Sequence, residues 1–181
     1  MRVLFYAING IGVGHLSRLI GIAEGIKHID SFCHCLFLTE VADTRFIRFH
    51  NMPFFQLPPS HSIDEDVQWE GIRDESMLAL NNALEGTIKG YRPDLVIYDS
   101  LVPKVVINTV NLLSPKPKQV YILRKRNNLN IFFNSQYDDF LVVDNIIFPH
   151  DISEIPINDI PSEFVKKCFF QDQLLEETLK I

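Results

Sequence analysis

The chain is 181 residues long, 46% hydrophobic and 22% charged, with a formal net charge of −6 at pH 7. That length suits one domain, or one and a small piece, with a sizeable core. The acidic balance argues against a broad nucleic-acid face, which needs clustered Lys and Arg, and no apolar run approaches the roughly 20 residues that span a bilayer.

Three cysteines, Cys33, Cys35 and Cys168, are an odd number without scaffold spacing. Cys33-His34-Cys35 lacks the second ligand pair of a zinc site, so buried thiols and no metal are expected. The apolar start is short and runs straight into glycines without a cleavage site, so no secretory signal is read. The expected setting is a reducing cytoplasm.

Taken in order, Val3-Leu4-Phe5-Tyr6-Ala7-Ile8 reads as a buried strand. It leads through Asn9-Gly10-Ile11-Gly12-Val13-Gly14-His15 into a helix with apolar residues at 16, 19, 20, 23 and 26. A second strand is predicted over 32–39 with Glu40 at its carboxyl end, then a short helix over 42–50 and a brief strand over 52–57. Pro58-Pro59 stops that strand, and 60–68 reads as a polar, acidic loop. The pattern over 70–90 is helical, with Ile72, Met77, Leu80, Leu84 and Ile88 facing inward.

Arg92-Pro93-Asp94 then precedes Leu95-Val96-Ile97-Tyr98, a continuous apolar run of the parallel-strand type, ending at Asp99-Ser100. Pro103 suits the first turn of a helix reaching about residue 113. Strands are predicted over 119–123, ending at Arg124, and over 140–143, with a short helix or turn at 129–136 between them. Residues 148–161 are proline-punctuated and extended, and 163–181 is part helix. The expected domain is 1–164, with 165–181 a tail or the start of an interdomain linker.

This alternation implies an α/β fold: a doubly wound, Rossmann-like parallel sheet with helices on both faces. Ligands on such sheets bind outside the carboxyl ends of the strands. The glycine loop with His15, Glu40, Asp99-Ser100 and Arg124-Lys125-Arg126 all fall at those predicted ends. The glycines let backbone approach a ligand, and the helix that follows offers its first-turn N–H groups to an anion.

Their spacing is neither the dinucleotide G-x-G-x-x-G nor a P-loop. His15 is read as a general base or a donor to phosphate or carbonyl, against a capping or packing role. Arg18, one turn on, contacts an anion or solvates the helix. Asp99 orients a ligand hydroxyl or caps the next helix. The basic run at 124–126 reads as a solvated strand end.

The motif Leu4-Phe5-Tyr6 followed by Gly12-Val13-Gly14-His15-Leu16-Ser17-Arg18 resembles the start of the N-terminal, acceptor-binding half of GT-B glycosyltransferases. The likeness is to the group of lipid-linked N-acetylglucosamine transferases and bacterial predicted glycosyltransferases. Arg92-Pro93-Asp94-Leu95-Val96-Ile97-Tyr98-Asp99 is similar to that group's RPDxVIxD strand, and Gln119-Val120-Tyr121-Ile122-Leu123-Arg124 to its next one.

The resemblance implies two Rossmann-like domains facing a cleft, of which this chain supplies the acceptor half. It assigns Gly12 and Gly14 to the loop, His15 to the catalytic base or acceptor-contact role and Arg18 to support; together with the strand-end reading, the expected substrate- or phosphate-binding set is Gly10, Gly12, Val13, Gly14, Arg18, Asp99, Ser100 and Arg124. It implies a nucleotide-sugar donor, no further cofactor, and a sugar or lipid-linked acceptor. The sequence ends at Ile181, where the donor half is expected to begin, so efficient transfer is expected to need a donor-domain partner. A homodimer is the other partnership considered. Two further readings stay open: a small nucleotide- or NAD-binding protein using the glycine loop and Glu40, and a non-catalytic interaction module.

Overall fold

The computed structural model describes residues 1–7, 14–39, 41, 43–57, 70–99, 104–126 and 128–171, with only the backbone described at 70–77. The glycine loop through Val13, Glu40, the loop predicted at 60–68, Ser100 and the region from 172 onward lie outside these residues. The chain divides into two compact units, 1–117 and 118–181.

The first unit is built on four parallel strands: β1 (Arg2–Ala7), β2 (His34–Thr39), β3 (Phe54–Gln56) and β4 (Leu95–Asp99), in the order β3-β2-β1-β4. Helix α1 (Gly14–Ile29) connects β1 to β2, and α2 (Arg45–Phe49) connects β2 to β3. Helix α3 (Glu70–Tyr91) precedes β4 and α4 (Lys104–Asn111) follows it. Helices α1 and α2 touch, as do α3 and α4.

The central strand explains why the run at 3–7 is apolar at every position. Val3, Leu4, Phe5, Tyr6 and Ala7 are wholly buried, as expected of a strand in a sheet covered on both faces. Phe5 stacks on Phe37, its register partner in β2, with ring centroids 4.7 Å apart. Leu16, Leu19, Ile20 and Ala23 bury one stripe of α1, and Leu80, Leu84 and Ile88 one stripe of α3. Cys33 and Cys35 are free thiols in the core, with the exposed His34 between them.

The second unit holds three parallel strands, β5 (Lys118–Ile122), β6 (Asn145–Phe148) and β7 (Cys168–Phe170), in that order. Between β5 and β6 lie α5 (Leu129–Ser135) and α6 (Tyr137–Val142). Two 3₁₀ turns, Ile152–Glu154 and Ile157–Asp159, and α7 (Ser162–Val165) lead to β7.

The strand predicted over 140–143 is corrected here. Phe140, Leu141 and Val142 belong to α6, and the strand is displaced to Asn145–Phe148. Phe140 drives the change by packing against Phe133 and Phe164 at 4.6 and 5.9 Å between centroids. The segment predicted as part helix beyond residue 163 also supplies β7, whose Phe170 stacks on Phe148. Among the described residues no helix is long and apolar enough to cross a membrane.

Candidate functional site

The order β3-β2-β1-β4 places β2 and β3 on one side of β1 and β4 on the other. The chain therefore reverses its direction of winding at β1. In α/β sheets this switch point opens a crevice at the carboxyl ends of the two diverging strands. The register puts Asp99, the last residue of β4, level with Ala7, the last residue of β1. Helix α1 begins at Gly14, so its first turn stands at the same edge.

Asp99 is 0% exposed. A carboxylate in that position has lost its water and requires partners of opposite charge or strong donors. Two come from α1. Arg18 Nη1 donates to Asp99 Oδ2 at 2.6 Å, and His15 Nδ1 lies 3.0 Å from Asp99 Oδ1. His15 and Arg18 sit three positions apart, one helical turn, so a single carboxylate reaches both. Their side chains keep 24% and 18% of their surface exposed, so the cluster reaches the surface through the imidazole and the guanidinium.

The donor–acceptor inventory sets the imidazole tautomer. An ionised carboxylate only accepts hydrogen bonds, so His15 Nδ1 carries the proton it donates to Asp99. In the neutral ring the lone pair then lies on Nε2. Arg18 supplies the counter-charge that makes a buried carboxylate tolerable. A histidine oriented by a buried aspartate, beside a helix N-terminus with its partial positive charge, can accept a proton from a hydroxyl while nearby N–H groups hold an anion.

The other residues singled out from the sequence are placed as follows. Gly14 is the first residue of α1 and is exposed. Gly10, Gly12, Val13 and Ser100, with Glu40 of the NAD reading, lie outside the described residues. Arg124 belongs to the second unit, exposed and two residues past β5. In the same basic run, Arg126 lies over the Phe132 ring at 4.0 Å from its centroid, so this end of the strand is more than solvated charge. Among the described residues no group of three or more His, Cys, Asp or Glu side chains could hold a metal ion. Burial, followed by the neighbouring Cys33, pushes the Cys35 thiol up to about 11, and burial pushes Cys168 up to about 12. Both are protonated core groups at neutral pH.

Reading single residues missed the joining of Asp99 to His15 and Arg18. The available signal was topological: a strand ending in Asp that lands beside β1 at the switch point brings residue 99 to residues 15 and 18.

The Rossmann-like α/β fold is similar to about half the length of solved glycosyltransferase structures. Among solved structures, the chain is similar to MurG of Acinetobacter baumannii, at a TM-score of 0.61 and 13% identity over 93% of this chain and 45% of that one. It is similar to a glycosyltransferase of Rickettsia africae at 0.59 and 12%, over 93% of this chain and 42% of that one. The calicheamicin glycosyltransferase CalG4 matches at 0.57 and 12%, over 93% and 52%. The chain spans about half the length of these structures. No protein-family model matches the chain, and no curated protein matches it.

Proposed function

We propose that this chain is the acceptor-binding half of a nucleotide-sugar-dependent glycosyltransferase. The observation that carries the reading is the Asp99 carboxylate joined to His15 Nδ1 at the carboxyl-end switch point of a GT-B half-domain. In this mechanism His15 Nε2 accepts the proton of an acceptor hydroxyl as its oxygen attacks the anomeric carbon and the nucleotide diphosphate departs. Asp99 orients the ring and stabilises the imidazolium that forms, while Arg18 holds Asp99 in place. The α1 N–H groups and the glycine loop (Gly10, Gly12, Val13, Gly14) hold a phosphate of the acceptor or donor, with Ser100 as a further contact. The donor sugar nucleotide is held by a second α/β half, either covalently continuous with this one or a separate protein. The setting is cytoplasmic, where nucleotide sugars are available to it.

The test is transfer by this chain together with its donor half, followed as nucleoside diphosphate release. His15→Ala is expected to lower kcat/KM by about 10²- to 10⁴-fold, the usual contribution of a positioned general base, with the circular dichroism spectrum unchanged. A wild-type rate in His15→Ala removes the base role.

One observation supports a second reading. The chain is also similar to a UDP-GlcNAc 2-epimerase of Neisseria meningitidis, solved bound to UDP-GlcNAc, at a TM-score of 0.53 and 12% identity over 100% of this chain and 50% of that one. The same fold therefore serves nucleotide-sugar chemistry other than transfer. Thermal-shift profiles separate the readings: stabilisation by NAD or a nucleotide, without any effect of acceptor sugars or lipids, favours a nucleotide-binding protein.

A further inference from the structure

At the opposite edge of the first unit's sheet, a cavity of about 460 Å³ opens among the start of β1, the ends of α3 and α4 and the turn before β4. Among the described residues, Arg2, Lys89 and Arg92 line it against the Asp94 carboxylate, with Leu112, Leu113 and Pro115 as its apolar side. Arg2 is paired with Asp94 at 3.5 Å and donates to the Tyr91 carbonyl, while Lys89 pairs with Glu85 at 2.9 Å, outside the cavity.

Arg92 differs from both. Its guanidinium has no hydrogen bond or ion pair among the described residues. Its backbone stands at φ 50°, just past the end of α3, with its N–H bonded to the Ile88 carbonyl. That is the left-handed position at a helix C-terminus, where glycine or asparagine is the usual occupant because a Cβ is strained there. Proline follows at position 93, which restricts the backbone further. A long cationic side chain is thus carried at a position whose backbone favours glycine, and it lines a cavity.

The carboxyl ends of α3 and α4 bring partial negative charge to the same place, and Lys89 and Arg92 offset it in part. Leu112 is 79% exposed at the rim.

We infer that this cavity binds a small organic oxyanion, a phosphomonoester or carboxylate attached to an apolar group, with Arg92 and Arg2 on the anion and Leu112, Leu113 and Pro115 against the apolar part. Guanidinium groups match the geometry of both oxyanions. The site lies at the edge away from Asp99 and is independent of the transferase reading.

The test uses phenyl phosphate, benzoate, inorganic phosphate and benzyl alcohol as probes, followed by amide chemical shifts of the full chain. Saturable shifts centred on Asp94, Thr109 and Leu113 are expected with phenyl phosphate or benzoate, the tighter of the two identifying the oxyanion. Inorganic phosphate and benzyl alcohol should bind at least 10-fold more weakly. Arg92→Gly keeps the left-handed backbone and removes the guanidinium, so it should fold as well as wild type and bind at least 10-fold more weakly. Glu85→Gln frees Lys89 and should tighten binding 2- to 3-fold. Undiminished binding by Arg92→Gly, or no saturable shift at these amides with either aromatic anion, overturns the assignment.

Discussion

Asp99 is a buried charge whose partners include one cation and one imidazole, and substitutions around it should behave as a unit. Removing Arg18 alone, as Arg18→Gln, leaves a fully buried carboxylate without that counter-charge. The expected cost is about 3–5 kcal/mol, the range for breaking a buried pair, read as a fall in the denaturant midpoint. Arg18→Gln with Asp99→Asn should cost less than the sum of the two single changes, because the second removes the charge that the first stranded. Asp99→Asn replaces an acceptor-only group by one that can also donate, so His15 no longer has its proton held on Nδ1. In the transferase reading this lowers kcat/KM by about 10²-fold or more with little change in KM. The nitrogen-15 shifts of His15 report the tautomer change directly, whether or not activity is measured. His15 and Asp99 stood out in the sequence for their place at a strand's carboxyl end, and Arg18 for standing one helical turn beyond His15. Their joining did not, since 81 and 84 residues separate the partners.

Helix α6 shows how an element is decided by its neighbours. Phe140-Leu141-Val142-Val143 is apolar and half β-branched, which reads as a strand. Asp138 and Asp139 in the first turn complement the helix N-terminus. At the other end, Lys167 Nζ donates to the carbonyls of Phe140, Leu141 and Val143 at 3.1, 2.9 and 2.8 Å. Those carbonyls are the acceptors a helix leaves without intrahelical donors, and a single ammonium gathers them. Lys167→Met should therefore destabilise the protein by about 1.5–3 kcal/mol, the range for hydrogen bonds to a charged group, measured by chemical denaturation. Phe164→Ala should cost about 3–5 kcal/mol, because its fully buried ring packs on Phe133, Phe140 and Tyr137 at once.

The molecule as a whole carries buried acids that hold their protons. Cys35 rises from 9.0 to about 11 and Cys168 from 9.0 to about 12, both first by burial. Tyr91 is raised as well, by burial and then by Cys35 and Cys33. Groups whose folded pKa lies above the unfolded one contribute stability that is complete below the unfolded value and lost as pH rises toward the folded one. Denaturant midpoints should accordingly be flat for these groups up to about pH 9 and fall between pH 9 and 12. Thiol alkylation at pH 8 should be at least ~100-fold slower in the native protein than in the unfolded chain, since the thiolate is the reactive form. Rapid labelling of Cys35 in the folded state would contradict the core placement.

By itself the sequence determined the local grammar: a parallel α/β chain, its inward-facing stripes, and the strand ends at which chemistry was to be sought. Those features follow from periodicity and from short-range backbone preferences, which act over a few residues. The tertiary structure alone decided three things. It moved the strand near residue 140 to Asn145–Phe148, because a cluster of aromatic rings outweighed a β-branched run. It chose β4 as the neighbour of β1 at the switch point. By that choice it brought Asp99 to His15 and Arg18, since a buried carboxylate is stable only where distant parts of the chain deliver its partners.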